Sequence, residues 1–183
     1  VAVATGDDGQ ILTSAGAGQP CAFEAAAGGG KVGQIVQTTK TDTTSISSQT
    51  FEDMTGMTVD ITPTAVDSKV LITLSLCLGG ESGSHVICRL LRGATVIYAG
   101  DAASNRSLGF GAWQSNGGRR YENMTKVYLD EPATTSATTY HIEWLCEYSG
   151  SGSHYLNRTQ DDNDLAIYDG RVASSIQAWE ILA

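Results

Sequence analysis

Two stretches of strict two-residue alternation constrain the fold of this chain more than anything else in it. In VLITLSLCL the even positions Val70, Ile72, Leu74, Leu76 and Leu78 are all apolar, and their odd neighbours include Thr73 and Ser75. In YHIEWLCEY, Tyr140, Ile142, Trp144, Cys146 and Tyr148 share one parity, while His141, Glu143 and Glu147 share the other. Successive side chains of a strand point to opposite faces, so each pattern makes one buried face and one solvated face. A helix needs a period of 3.6, and no window of the chain carries a helical stripe.

The remaining strands follow the same rule. Val32, Ile35 and Val36 open a short strand, and TKTDTTSISSQ reads as a polar loop. Met57, Val59 and Ile61 alternate with Thr58 and Asp60 until Pro63 ends the run. HVICRLLRGATVIYAG reads as a hairpin, with Val86, Cys88 and Leu90 inward and the turn at Gly93-Ala94. MTKVYL is another strand, DEPATTSA a turn, and ASSIQAWEIL a last strand expected inside a sheet. Turn signals recur about every eight to twelve residues, which predicts an all-β fold, an antiparallel β-sandwich or a small barrel. Only 17% of residues are charged, and Ser, Thr and Gly take their place. Those residues disfavour helices, so composition and periodicity agree.

Residues 1–30 differ from the body. Gly and Ala dominate, Ile11-Leu12 is the one apolar pair, and CAFEAAA is too short for a stable isolated helix. The division predicted is an extended Gly/Ala-rich connector over 1–30, with Gly28 to Gly30 as the hinge, and a sandwich over 31–183. The chain starts at Val1 rather than Met, so residues upstream are expected, and no signal peptide is visible.

Charge excludes several partners. The net charge is −9 and the pI about 4.6, so nucleic-acid backbones and anionic membranes are repelled. No apolar run approaches the roughly 18–20 residues of a membrane span, so no membrane insertion is expected.

The catalytic patterns fail on spacing. GxSxG, HExxH and the Walker loop are absent, and GAGQP and GFGAW do not open helices. Glu143 and Glu147 share a face, but four residues of strand put them roughly 13 Å apart, too far for a glycosidase pair. The reading is therefore a protein without enzymatic activity and without a cofactor. Cys21, Cys77, Cys88 and Cys146 show no metal-binding spacing and read as free thiols, with a Cys88–Cys146 bridge as the alternative. His141 and Glu143, two apart on one face, could supply two zinc ligands, with His85 or His154 completing the set; structural histidines are the simpler reading. N-x-S/T triplets at Asn105, Asn123 and Asn157 arise readily in so Ser/Thr-rich a chain.

Two loops carry recognition chemistry. The first holds Phe110, Trp113, Arg119, Arg120 and Tyr121 between Gly and Asn residues, a candidate receptor-binding cluster; its alternative is Trp113 folding back as a cap. The second holds Asp161, Asp162, Asp164 and Asp169, candidate ligands for a calcium or magnesium ion, although no EF-hand loop is present.

At residues 6–23, GDDGQILTSAGAGQPCAF, the chain resembles a connector motif of bacteriophage fibres. Gly6, Gly9, Gln10, Leu12, Thr13, Ser14, Gly16, Gly18, Pro20 and Phe23 fit it, while Ile11 and Ala15 replace the usual Val and Asn. The body pieces KVGQIVQTTKTDT, TFEDMTGMTVDITPTAVDSKVLITLSL, RLLRGATVIYAGD and YLNRTQDDNDLAIYDGRVASSIQAWEIL are similar to heads of phages of marine and freshwater bacteria. The resemblance implies a homotrimeric tail-fibre or tail-tip head with a jelly-roll-like sandwich, exposed on the virion. It would join other virion proteins through the connector and bind a bacterial surface glycan or protein. A non-receptor role as a capsid decoration, head fibre or collar is the alternative.

Overall fold

The structure is a computed structural model that describes residues 6–7, 10–14, 16–25, 31–147, 152–165 and 167–183. The chain divides into two compact units, 1–32 and 33–183. Tyr148 and the Gly28–Gly30 hinge lie outside the described residues.

In the smaller unit, β1 (Gln10–Thr13) pairs antiparallel with β2 (Ala22–Ala25), Leu12 opposite Phe23. The sequence reading held no strand pairing here. Gly16 and Gly18 take positive φ, which reverses the chain and lets the two short segments meet. Ile11 and Leu12 stay about half exposed, so this hairpin buries little by itself.

The larger unit is an antiparallel, jelly-roll-like sandwich, and no helix occurs among the described residues. Its strands are β3 (Val32–Lys40), β4 (Thr44–Ile46), β5 (Glu52–Ile61), β6 (Lys69–Gly80), β7 (His85–Arg92), β8 (Thr95–Tyr98), β9 (Gly111–Gln114), β10 (Glu122–Asp130), β11 (Thr138–Glu147), β12 (His154–Leu156) and β13 (Ser174–Ile181). One sheet runs β3-β13-β6-β12-β4 with β10 also on β6, and the other runs β5-β11-β7-β8 with β9 also on β7. The long strands β5, β6, β7, β10, β11 and β13 alternate between the sheets, as a jelly roll requires. β13 lies between β3 and β6, inside its sheet as expected.

Both alternating stretches bury the parity they advertise. Val70, Ile72, Leu76 and Leu78 are fully buried from one sheet, and Tyr140, Ile142 and Trp144 meet them from the other. Each such side chain contributes about 1.5–3 kcal/mol by leaving water. Three short strands lie in segments read as loops: β4 in TKTDTTSISSQ, β9 around Trp113, and β12 in SGSGSHYLN. Three or four residues are too few to show a period, so partner strands, not local pattern, make them strands.

The four cysteines are free. Cys88 faces Trp144 across the ladder and Cys146 faces Val86, so the two are not opposite one another. Burial pushes the Cys88 thiol up to about 12.

The inward parity of β13 carries one charge among Ile176 and Ala178. Glu180 is fully buried. Its carboxylate accepts from Gln34 Nε2 at 2.8 Å, from the Thr64 amide at 2.6 Å and from the Thr64 hydroxyl at 2.7 Å. Burial pushes its pKa up, but these donors outweigh it and hold the carboxyl at about 2.

Candidate functional site

The two loops singled out in the sequence meet at one end of the sandwich. Their approach begins at the end of β6, where a Cβ on Gly79 would lie 2.2 Å from the Arg158 carbonyl oxygen. Only glycine lets the chain at 157–159 lie this close to the strand. Asn157 then pins the base of the long loop. It is fully buried with φ 65°, and its amide donates to the carbonyls of Lys40 and Asp42 while Ser174 Oγ donates back to it at 2.6 Å. A buried amide with all these partners is structural, which removes Asn157 as an exposed glycan acceptor.

The loop after β9 is zipped to this base. The Gly118 amide donates to Gln160 Oε1 at 2.9 Å, and the Gln160 amide returns a bond to the Gly118 carbonyl at 3.2 Å. Gly117 and Gly118 both have positive φ, and this turn carries Arg119 toward the acidic loop. Arg119 Nε lies 3.7 Å from Asp161 and 3.6 Å from Asp169, with its guanidinium 4.8 Å from the centre of the Tyr168 ring. Tyr121 donates to the Gly170 carbonyl.

The predicted receptor cluster therefore splits. Arg119 and Tyr121 join the acidic loop, while Phe110 is buried and stacks on Tyr98 at 5.5 Å. Phe110 belongs to the core and is not presented to a receptor. Its apolar ring just before β9 gains more from the space between the sheets than from solvent. Trp113 is half-buried with its edge toward His154, which is the capping alternative. Arg120 is exposed and has no ion-pair partner among the described residues.

The candidate cation ligands are largely occupied by guanidinium groups. Asp162 pairs with Arg171 and, at 3.5 Å, with Arg158, whose own guanidinium stacks 3.6 Å over Tyr155. The Arg171 hydrogen bond, ahead of smaller Coulombic effects, holds the Asp162 carboxyl below its ordinary range. Asp161 and Asp169 share Arg119, which leaves Asp164 without a guanidinium among the described residues. Four carboxylates against three guanidiniums form a nearly neutral basin, not the concentrated negative charge that attracts a hard cation. Arg158, Arg171, Tyr155 and Tyr168 were missed by the sequence reading, although Arg158 and Arg171 visibly flank the acidic run.

An open concavity of about 350 Å³ is lined by Asp162, Asn163, Asp164, Asp169 and Arg171. The Asp169 side chain is fully buried, and its Oδ1 accepts from Thr159 at 3.1 Å. Among the described residues its Oδ2 has no hydrogen-bond partner, since 3.6 Å to Arg119 is beyond hydrogen-bond length. Beside it stands an exposed apolar tip formed by Leu165, Ile167 and Tyr168.

No protein-family model matches the chain, and no curated protein matches it. Solved structures with a similar course are particles of infectious bursal disease virus. The Gx strain structure is 13% identical over 99% of this chain and 50% of its own, with a TM-score of 0.41. The VP2 subviral particle is 14% identical over 98% and 49%, with a TM-score of 0.42, and the T13 particle is 12% identical over 94% and 40%, with a TM-score of 0.43. This chain spans half or less of those chains, and TM-scores below 0.5 give the likeness no functional weight.

One further polar pair has the residue types of a nucleophile and its base. Ser84 Oγ lies 3.0 Å from His154 Nε2, but both residues are fully buried. Ser84 donates its proton to the Glu81 carbonyl at 2.6 Å, so the imidazole is the donor to Ser84 rather than its base. Burial pushes the His154 pKa down, which keeps the ring neutral.

Proposed function

We propose that this chain is the head of a bacteriophage fibre or tail tip, which assembles as a homotrimer on the virion and binds a glycan or protein of the bacterial surface. The observation that carries the binding half is the meeting of the two loops. Their union sets an apolar tip, Leu165-Ile167-Tyr168, beside a near-neutral basin of carboxylates and guanidiniums with an unused acceptor on Asp169. Aromatic rings stacked with Arg beside Asp and Asn are the chemistry that grips sugar hydroxyls and sugar faces, or a polar peptide. The virion half rests on the likeness of residues 6–23 to fibre connectors.

The trimer has its own support on the outer face of the six-stranded sheet. Leu129, Leu71 and Trp179 are register neighbours across β10, β6 and β13, and Val127 stands in the adjacent row. Val127 is 56% exposed and Leu129 47%. Their strand β10 is at the edge of the sheet, where bare apolar residues invite pairing unless a partner covers them. A second copy of the chain is the occupant that the fibre likeness supplies. Native mass spectrometry at micromolar concentration is expected to give a trimer, and Val127→Glu with Leu129→Glu to give a folded monomer. A wild-type monomer refutes the assembly.

For binding, Arg119→Ala with Tyr168→Ala is expected to lower adsorption of the phage to its host by about tenfold or more, because three copies multiply each lost contact. Unchanged adsorption with the trimer intact would favour the alternative, a structural virion component such as a capsid decoration or collar.

A further inference from the structure

On the outer face of the other sheet, the ladder between β5 and β11 lapses at one point. His141 pairs with Thr58, but Glu143, only two residues on, pairs with Asp53. β5 therefore carries extra residues over Met54–Met57, turning at Gly56 with φ 82°, and a cavity of about 360 Å³ lies beside them. Asp53 and His141 both line it.

The bulge leaves a charge problem. Asp53 and Glu143 stand directly opposite across the ladder, and like charges in that relation destabilise a sheet. One cation answers part of it. Arg89, the register neighbour of Glu143 on β7, places Nε at 2.7 Å and Nη2 at 2.5 Å from the same oxygen, Oε2, and is itself stacked 3.8 Å over Phe51. Glu143 Oε1 is left without a hydrogen bond among the described residues. His141 Nε2 lies 3.3 Å from Asp53 Oδ1. One ligand atom from each of Asp53, His141 and Glu143 lies within 4.8 Å of the others.

We propose that Asp53, His141 and Glu143 form a site for one divalent transition-metal ion of the zinc class, which staples β5 to β11 where their backbone pairing lapses. An imidazole nitrogen with two carboxylate oxygens is a donor set that such ions take, with water completing the shell. Tetrahedral bonds of about 2.0–2.2 Å set donor atoms about 3.4 Å apart, so a pair at the 4.8 Å limit has to close by about 1.4 Å. Asp53, whose side chain is 74% exposed, is free to supply that movement. Arg89 holds the Glu143 carboxylate in place through Oε2, as an outer partner orients a ligating carboxylate. This site is independent of the loop basin and of any virion role.

The test is calorimetric titration of the whole chain with zinc chloride, in a Cys21→Ser background because Cys21 is an exposed thiol. One ion per chain is expected, with a rise in melting temperature that calcium chloride does not produce. His141→Ala and Asp53→Asn, both on the solvated face, are expected to keep the metal-free melting temperature. Each should weaken zinc binding by at least the roughly 10–100-fold that loss of a supporting partner costs. No zinc binding, or binding that neither substitution weakens while the variants remain folded, overturns the proposal.

Discussion

Two of the buried carboxylates of the sandwich, Glu180 and Asp169, are treated in opposite ways. Glu180 is closed in by three donors at 2.6–2.8 Å between β3, β13 and the turn at Thr64. Asp169 is equally hidden from solvent, yet one of its oxygens has no hydrogen bond and only a long ion pair to a half-exposed Arg119. A buried acceptor with every bond made rigidifies its surroundings, while one with a bond to spare costs stability and can accept from a ligand. The difference separates a structural lock from the proposed binding groove, though both are acidic residues in a β fold.

The largest effect expected is at the lock. Glu180→Gln sets an amide donor against the Gln34 amide and the Thr64 N–H, and should cost about 3 kcal/mol in urea unfolding at pH 7. The same residue sets an acid response. Its carboxyl is at about 2 in the folded chain against an ordinary 4.5, so the unfolded chain takes up the proton first as pH falls. The stabilisation is complete above about pH 4.5 and is lost progressively toward pH 2. Urea midpoints of wild type and Glu180→Gln should therefore converge over that window. A constant gap between the two from pH 5 to 2 would show that Glu180 is not the lock.

At the groove the effect on stability should be small. Asp169→Asn keeps an acceptor for Thr159 and gives up only the long pair with Arg119, so about 1 kcal/mol is expected by the same urea assay. Its effect on host adsorption should be the larger one. A loss as great as that of Glu180→Gln would make Asp169 a second lock and erase the contrast.

Both residues were within reach of the sequence to different degrees. Glu180 shares its parity with Ile176 and Ala178, so its inward position was legible; its donors were not, because Gln34 and Thr64 lie more than a hundred residues away. The acidic loop was visible as a cluster, and so was the Arg119-Tyr121 pair. Their union was not, since Arg119 and Asp169 approach only because β9 and β12 lie at the same end of their sheets. The buried position of Phe110 is not legible in the sequence, because the ring sits among Gly and Asn, where no period reports its direction.

Alternation by itself determined the all-β class and the buried faces of β6 and β11, because the pleat imposes a period of two on any strand whatever its neighbours. Strand order, the bulge opposite His141 and the meeting of the loops came only with tertiary structure. These depend on register and on glycines that permit close approach, such as Gly79 against Arg158, and such long-range geometry leaves no local period to read.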